Sequence, residues 1–325
     1  MRAVYQWKSD MANMLQAFLR EMKMVGFKYE KQERELEYFD AYYYHSGYSG
    51  IRLTKPMVDA FIYVECEKPS THYKKEIVLS NFACFLQKQG HSVYVPVIKS
   101  APTKRCSHIP YIFTQKELQR FFTAIDSYPI AKYNNRNTVD PVLFRLLYGT
   151  GLRVSEALNL QLRDVNLEEG VLTVRQAKNN KDRLVPVAKS ISGRMADLAT
   201  KIHRFSDATS CFFPNTVQNP IDQSTIYCRF RDYLLMADIS HTVAGPRVHD
   251  FRHHFAVSCL KKWVLSGEEL TNIMPYLAAY MGHSDFRATQ YYLRLTADLY
   301  PDIISKTEAE FGYIIPEGGF LHEEQ

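Results

Sequence analysis

The chain has 325 residues, 46% hydrophobic and 23% charged, a balance that excludes a disordered or low-complexity protein and leaves room for two ordinary domains. Its formal net charge is +5, with 14 Lys and Arg against 11 Asp and Glu in the first hundred residues and 26 against 24 in the remainder, so an anionic partner is permitted but not demanded. No apolar run approaches the ~20 residues that span a bilayer, and the N-terminus lacks a charged-then-apolar leader pattern; the expected location is the cytoplasm, with no membrane contact.

Met11, Leu15, Phe18, Leu19 and Met22 recur at helical spacing and predict a first helix ending near Gly26. A second is predicted over Glu30 to Tyr44, closed by the turn-prone run Ser46 to Gly50. Thr54 reads as the N-cap of a third helix through Met57, Phe61 and Ile62. A fourth spans about Ser70 to Gln89, with Ile77, Val78, Phe82, Phe85 and Leu86 as its apolar stripe. These four define a small helical domain over residues 1–96. Residues 97–110 read as a linker: Val95 to Pro110 holds three prolines and little periodicity. A new helix is expected after Thr114, which with Glu117 has capping-box spacing. Val142–Tyr148 reads as an apolar helix, and Val171–Gln176 and Arg183–Val187 as two strands joined by a polar hairpin tip. Helices are expected again from Ser224 onward. Six widely spaced cysteines (Cys66, Cys84, Cys106, Cys211, Cys228, Cys259) form no C-x-x-C pair and are expected to be reduced, mostly buried thiols.

Three segments carry groups suited to chemistry on a phosphate: GTGLRVSEAL (Gly149–Leu158), HDFRHHFA (His249–Ala256) and MGHSDFRATQYY (Met281–Tyr292). Arginine suits a phosphorane-like transition state because its planar fork donates two hydrogen bonds and stays charged. Arg153 follows Gly149-Thr150-Gly151, whose glycines let the chain turn and present the side chain at a helix start; Glu156 can face it across one turn. Without the other segments this pair would read as an ordinary surface Arg–Glu contact. His249 and Arg252 stand one helical turn apart and can address the same point, the imidazole exchanging a proton near neutral pH. His249 and His253 have zinc-ligand spacing, but Asp250 stands where a zinc protease would need Glu, so no metal is expected. Lys178 on the hairpin tip, with Lys181 and Arg183 nearby, could reach into a DNA groove and protonate a leaving oxygen. Tyr292 lies nine residues after His283. Only about one phenol in a thousand is ionised at neutral pH, so a nucleophilic Tyr292 needs a base and cations beside it, and its neighbour Tyr291 competes for the role.

In this order, GTGLRVSEALNL, VRQAKNNKDRLVPV, PRVHDFRHHFA and YMGHSDFRATQYY resemble the sequence boxes of the tyrosine recombinase (phage integrase) family, over roughly Tyr111 to Leu299. Met274-Pro275-Tyr276-Leu277 is similar to a run in integrases of transposons and integrative elements. The resemblance implies a mainly α fold: an N-terminal helical, SAM-like core-binding domain and a mainly α catalytic domain over 111–304 with a small antiparallel β-sheet; the tail over 305–325, apolar from Phe311 to Pro316, is expected to dock on a neighbouring protomer or on its own protomer. It implies that Arg153 and Arg252 bind the scissile phosphate, that Lys178 is the general acid for the 5′-hydroxyl, and that His249 is the base or proton shuttle. His283 would hydrogen-bond a non-bridging oxygen, Tyr292 would form the 3′-phosphotyrosyl link, and Glu156 would support Arg153. Neither cofactor nor metal nor ATP is implied. The implied partners are double-stranded DNA, gripped between the two domains, and further copies of the chain as a tetramer on two sites, with room for an accessory DNA-bending or directionality protein in a bacterial nucleoid.

The sequence departs from the family's pattern mildly. Phe251 and Met281 stand where Leu is usual, Asn179 where Gly often follows the lysine, and the bulkier His254 where a small hydroxyl residue is usual. Three other readings remain open at this level. A relaxing topoisomerase or hairpin-forming resolvase would share the covalent step; an accessory DNA-binding protein would keep the fold without activity; a metal-dependent hydrolase would need acidic ligands that the histidine cluster lacks.

Overall fold

The computed structural model describes residues 5–100, 110–130, 134–175, 182–242, 245–283, 289, 291 and 292. Lys178, Lys181, most of the hairpin tip and the tail over 305–325 lie outside them. The chain divides into two compact units, Met1–Ser107 and His108–Gln325, with the division inside the linker expected over 97–110.

The first unit contains α1 (Ala12–Met24), α2 (Glu30–His45), α3 (Lys55–Ile62) and α4 (Pro69–Lys88). Helix α4 packs on the other three, because its Val78, Phe82, Phe85 and Leu86 form one buried face; Ile77 sits at its half-buried margin. Phe18 of α1 meets Phe82 and Phe85 with ring centroids 5.5 Å away in each case. Thr54 occupies the N-cap position of α3 without a side-chain capping bond; Pro56 in the first turn needs no such acceptor, since it has no N–H. Two buried carboxylates pin the ends of the unit. Asp40 accepts from Tyr5 Oη at 2.9 Å and from the Lys8 amide at 2.9 Å, and Glu76 accepts from Tyr63 Oη at 2.6 Å and the Ser100 amide at 3.0 Å.

The second unit opens with α5 (Gln115–Asp126), whose Thr114–Glu117 capping box forms as the spacing predicts. It is followed by α6 (Arg136–Thr150), α7 (Val154–Leu158), a 3₁₀ turn (Leu162–Asp164), and β1 (Val165–Asn166), β2 (Val171–Val174) and β3 (Arg183–Pro186). Helices α8 (Lys189–Ile202), α9 (Gln223–Met236), α10 (Asp250–Leu265) and α11 (Leu270–Met281) follow among the described residues. The strands form an antiparallel sheet in the order β1-β2-β3, with Leu172 opposite Val185 and Val174 opposite Arg183. Phe121, Phe230 and Phe251 meet in the main core with centroids 5.3 to 5.6 Å apart. Phe251, the aromatic at a position where leucine was expected, is thus matched by aromatic neighbours. A second cluster joins Ala256, Leu260 and Val264 of α10 to Leu270, Met274, Leu277 and Met281 of α11, and receives Tyr292.

Several expectations change. Helix α6 begins at Arg136, six residues before Val142, and continues through Pro141, which removes one intrahelical hydrogen bond without ending the helix. Helix α8 was not anticipated, because Ser190, Ser192 and Gly193 crowd its start, although Ile191, Met195 and Leu198 give it a buried face at helical spacing. Strand β1, two residues long, was also missed. The described thiols are not mostly buried: Cys66, Cys84 and Cys228 are exposed, Cys211 and Cys259 are half-buried, and Cys106 lies outside the described residues. Cys84 and Cys228 lie on the solvent faces of α4 and α9. No described helix is long and apolar enough to cross a membrane.

A buried charge cluster joins α6 to α9. Asp140, fully buried, accepts from Arg229 Nη1 at 2.7 Å and Tyr233 Oη at 2.7 Å, with Arg136 Nε 3.7 Å away. Removing Asp140 leaves half-buried Arg229 and the buried Tyr233 hydroxyl without their shared acceptor, while Arg136 keeps Asp232 at 2.9 Å. Asp140→Ala is therefore expected to lower the unfolding free energy by about 3–5 kcal/mol in urea denaturation; a loss below about 1 kcal/mol, the scale of an ordinary surface ion pair, would contradict this account.

Candidate active site

Helix α6 ends at Gly151, whose φ of +60° is open to glycine and costly for other residues; a Cβ there would lie 2.8 Å from Phe255 Cδ1. Two residues on, Arg153 is the N-cap of α7. Its amide donates to Glu156 Oε2 at 3.0 Å and its Nη1 to Glu156 Oε1 at 2.6 Å, so the carboxylate fixes both backbone and guanidinium, as the spacing predicted.

Glu156 serves a second cation. Arg183 Nη1 and Nη2 donate to Oε1 and Oε2 at 3.1 and 2.8 Å, a bidentate contact, while Arg183 Nε donates to the Tyr280 carbonyl at 2.9 Å. Burial pushes the Glu156 carboxyl up, but the hydrogen bonds of Arg183 and Arg153 outweigh it and hold the group at about 2. Gly282, at φ +64°, ends α11 against Arg183: a Cβ there would meet Arg183 Nη1 at 2.9 Å. Arg183 thereby ties β3 to α7 and to the end of α11. Its role escaped the sequence reading, which took it as one more basic residue near the hairpin. The available signal was the two-residue period of β3, which puts Arg183 on the face of buried Val185 and so requires a buried acid partner.

Arg252, only 2% exposed, lies in the first turn of α10. Its Nη1 donates to the Gly151 carbonyl at 2.7 Å, and its Nη2 donates to the Met281 carbonyl and lies 3.2 Å from His283 Nε2. A guanidinium only donates, so His283 Nε2 is the acceptor, and Nδ1 carries the proton toward Thr289 Oγ1 at 2.8 Å. Burial, then the charges of Arg252 and Arg153, push the His283 imidazole down to about 4. Burial and Arg153 push Arg252 itself down to about 10.

Tyr292 is 3% exposed and its ring stacks on His283 at 5.8 Å and 16°, whereas Tyr291 is 37% exposed. Burial raises the Tyr292 phenol, and the charge and hydrogen bond of Arg252 act in the opposite direction. His249, immediately before α10, keeps an exposed edge; the protein packed around the rest of the ring, with Arg252 and Arg153, pushes its imidazole well below the usual range. The fold therefore gathers Arg153, Glu156, His249, Arg252, His283 and Tyr292 around the Gly282–His283 turn, together with Arg183 and Thr289, which the sequence did not single out. His254, the bulky departure noted above, packs at 5.4 Å against Tyr148, away from this turn.

Residues 112–298, more than half of the chain, match the model of the phage integrase family. The protein y4rB of Sinorhizobium fredii, named as an integrase/recombinase, is 28% identical over 305 residues, covering 90% of this chain and 96% of that one. Tyrosine recombinase XerA of Pyrococcus furiosus is 30% identical over 192 residues, 58% of this chain and 59% of its own. The structure of the XerH site-specific recombinase bound to difH substrate, a pre-cleavage complex, shares the fold with a TM-score of 0.62 at 19% identity, over 89% of this chain and 82% of that one. This chain belongs to the phage integrase family, the tyrosine-type site-specific recombinases.

The Glu156 carboxyl has a testable pH signature. Its folded value of about 2 lies below the ordinary 4.5, so its contribution to stability is present above about pH 4.5 and is lost as pH falls toward 2. At ~1.4 kcal/mol per unit this amounts to about 3 kcal/mol. Urea unfolding of wild type and Glu156→Gln should show the variant less stable by about that amount at pH 7, with the gap closing toward pH 2. A gap independent of pH would refute the assignment.

Proposed function

We propose that this protein cuts and rejoins duplex DNA at specific sites through a covalent 3′-phosphotyrosyl link to Tyr292. The observation that carries the reading is the placement of the Tyr292 phenol, stacked on His283 and acted on by Arg252, within the cluster that also holds Arg153 and Glu156. Such a cluster answers the needs of phosphoryl transfer: cations for the equatorial oxygens, neutral imidazoles for proton exchange, and a nucleophile.

In this reading Arg153 and Arg252 grip the scissile phosphate, and Glu156 with Arg183 keeps Arg153 in place. The Tyr292 oxygen attacks phosphorus and passes its proton to His249, acting as base or shuttle. The 5′-oxygen leaves with a proton from Lys178, and His283 donates to a non-bridging oxygen. That last role requires an imidazole proton to face the phosphate, so the Arg252–His283 contact must rearrange when DNA arrives. The new ester conserves the energy of the bond that was broken, and the reverse attack by a DNA hydroxyl rejoins a strand without ATP or metal.

The first unit, residues 1–107, would act as the core-binding domain and the second as the catalytic domain, the two closing on opposite sides of the duplex with contacts mostly to phosphates. Exchange of strands between two sites calls for four protomers, with residues 305–325 coupling neighbours. Resemblance to integrases of mobile elements supports integration and excision of such an element as the biological setting.

The test uses DNA flanking the gene as substrate in the presence of EDTA, with protein–DNA adducts resolved on denaturing gels. Wild type and Tyr291→Phe are expected to form the adduct, and Tyr292→Phe to form none. Adduct formation that survives Tyr292→Phe would overturn the assignment of the nucleophile.

A further inference from the structure

Beside the cluster around Gly282, on the far side of His249, a cleft of about 840 Å³ opens between α9 and the segment leading into α10. Tyr227 and Arg231 line it from one face of α9, and His241, Thr242, Arg247 and His249 line it from the opposite side. Among the described residues that line it there is no Asp or Glu. Arg231 and Arg247 are exposed and make no ion pair among the described residues. Gln223 Nε2 donates to Tyr227 Oη at 2.7 Å, which leaves the phenol proton free to be donated elsewhere.

The rim is built rather than loose. The Gly245 amide donates to the Thr242 carbonyl at 2.9 Å, and a Cβ on Gly245 would lie 2.8 Å from the Ser240 carbonyl oxygen, so the turn admits only glycine without rearrangement. The Arg247 amide donates to buried Asp250 Oδ2 at 2.7 Å, which fixes the Arg247 backbone two residues before His249. A cleft whose described lining carries two guanidiniums without an ion pair, a hydroxyl donor and no acid is suited to an extended anion.

We propose that this cleft is a second phosphate subsite, in which Arg231 and Arg247 seat two backbone phosphates of the DNA strand next to the phosphate to be cut. The inference rests on the recombinase reading above and extends it: the subsite sets the register of the strand before the chemistry, without reading bases.

The test is the salt dependence of binding to duplex DNA. Removing one arginine–phosphate pairing should flatten the slope of log affinity against log salt by about 0.9, so Arg231→Gln with Arg247→Gln should flatten it by about 2. Between 50 and 200 mM salt the wild type should then lose roughly tenfold more affinity than the variant. Arg231→Lys with Arg247→Lys should keep the slope, and the weakening in the Gln pair should be equal on unrelated sequences. Wild-type binding with an unchanged slope in the Gln pair overturns the subsite alone, as does a weakening confined to particular base-pair substitutions, which would mark groove readout. A wild type without salt-dependent duplex binding overturns the subsite and the recombinase reading together.

Discussion

One carboxylate between two guanidiniums organises the catalytic unit. Glu156 is buried, and a buried charge is tolerated only when its hydrogen-bonding capacity is filled. Arg153 fills it from its own turn and Arg183 fills it from the strand, so a helix start, a sheet edge and the end of α11 are tied to a single group. With Arg252, the described residues at this point hold three cations and one acid. That surplus reaches the neighbouring imidazoles, since His249 and His283 are held neutral partly by these charges. A site that resists gaining further positive charge, and carries more than it can neutralise, is complementary to an anion.

The same surplus bears on Tyr292. A phenol placed in an apolar cluster would simply become harder to ionise, and the packing of Tyr292 against α10 and α11 pushes in that direction. Arg252 works against the burial. The hydroxyl is therefore kept protonated but placed beside the group that can stabilise its anion, a combination that separates storing a nucleophile from using it.

Much of this was legible in the sequence, for definite reasons. The GTG turn, the Arg153–Glu156 spacing, the His249–Arg252 turn and the Thr114 capping box are local patterns whose geometry follows from three or four consecutive positions. Helix α8 was obscured because weak helix formers at its start hide an otherwise regular buried face, and α6 was read only from its apolar run, which starts after Pro141. Arg183 and Thr289 could not be picked out by adjacency. Arg183 meets Glu156 across 27 positions of sequence, and Thr289 accepts from His283 Nδ1. The clamping of Ser100 by Glu76 was not readable either, being a contact between a loop amide and a helix face.

Arg252 has a different kind of anchor. Its guanidinium is held by the carbonyl oxygens of Gly151 and Met281, main-chain atoms at the ends of α6 and α11. Every residue type carries such an oxygen, so the aim of this arginine is written into the path of the chain and not into the identity of neighbouring side chains. Sequence drift at Met281 can exchange one apolar side chain for another without removing the acceptor. What it cannot change freely is the left-handed backbone at Gly151 and Gly282 that turns the two helix ends toward the same point. Evolutionary latitude around this arginine is accordingly wide in side-chain chemistry and narrow in backbone shape.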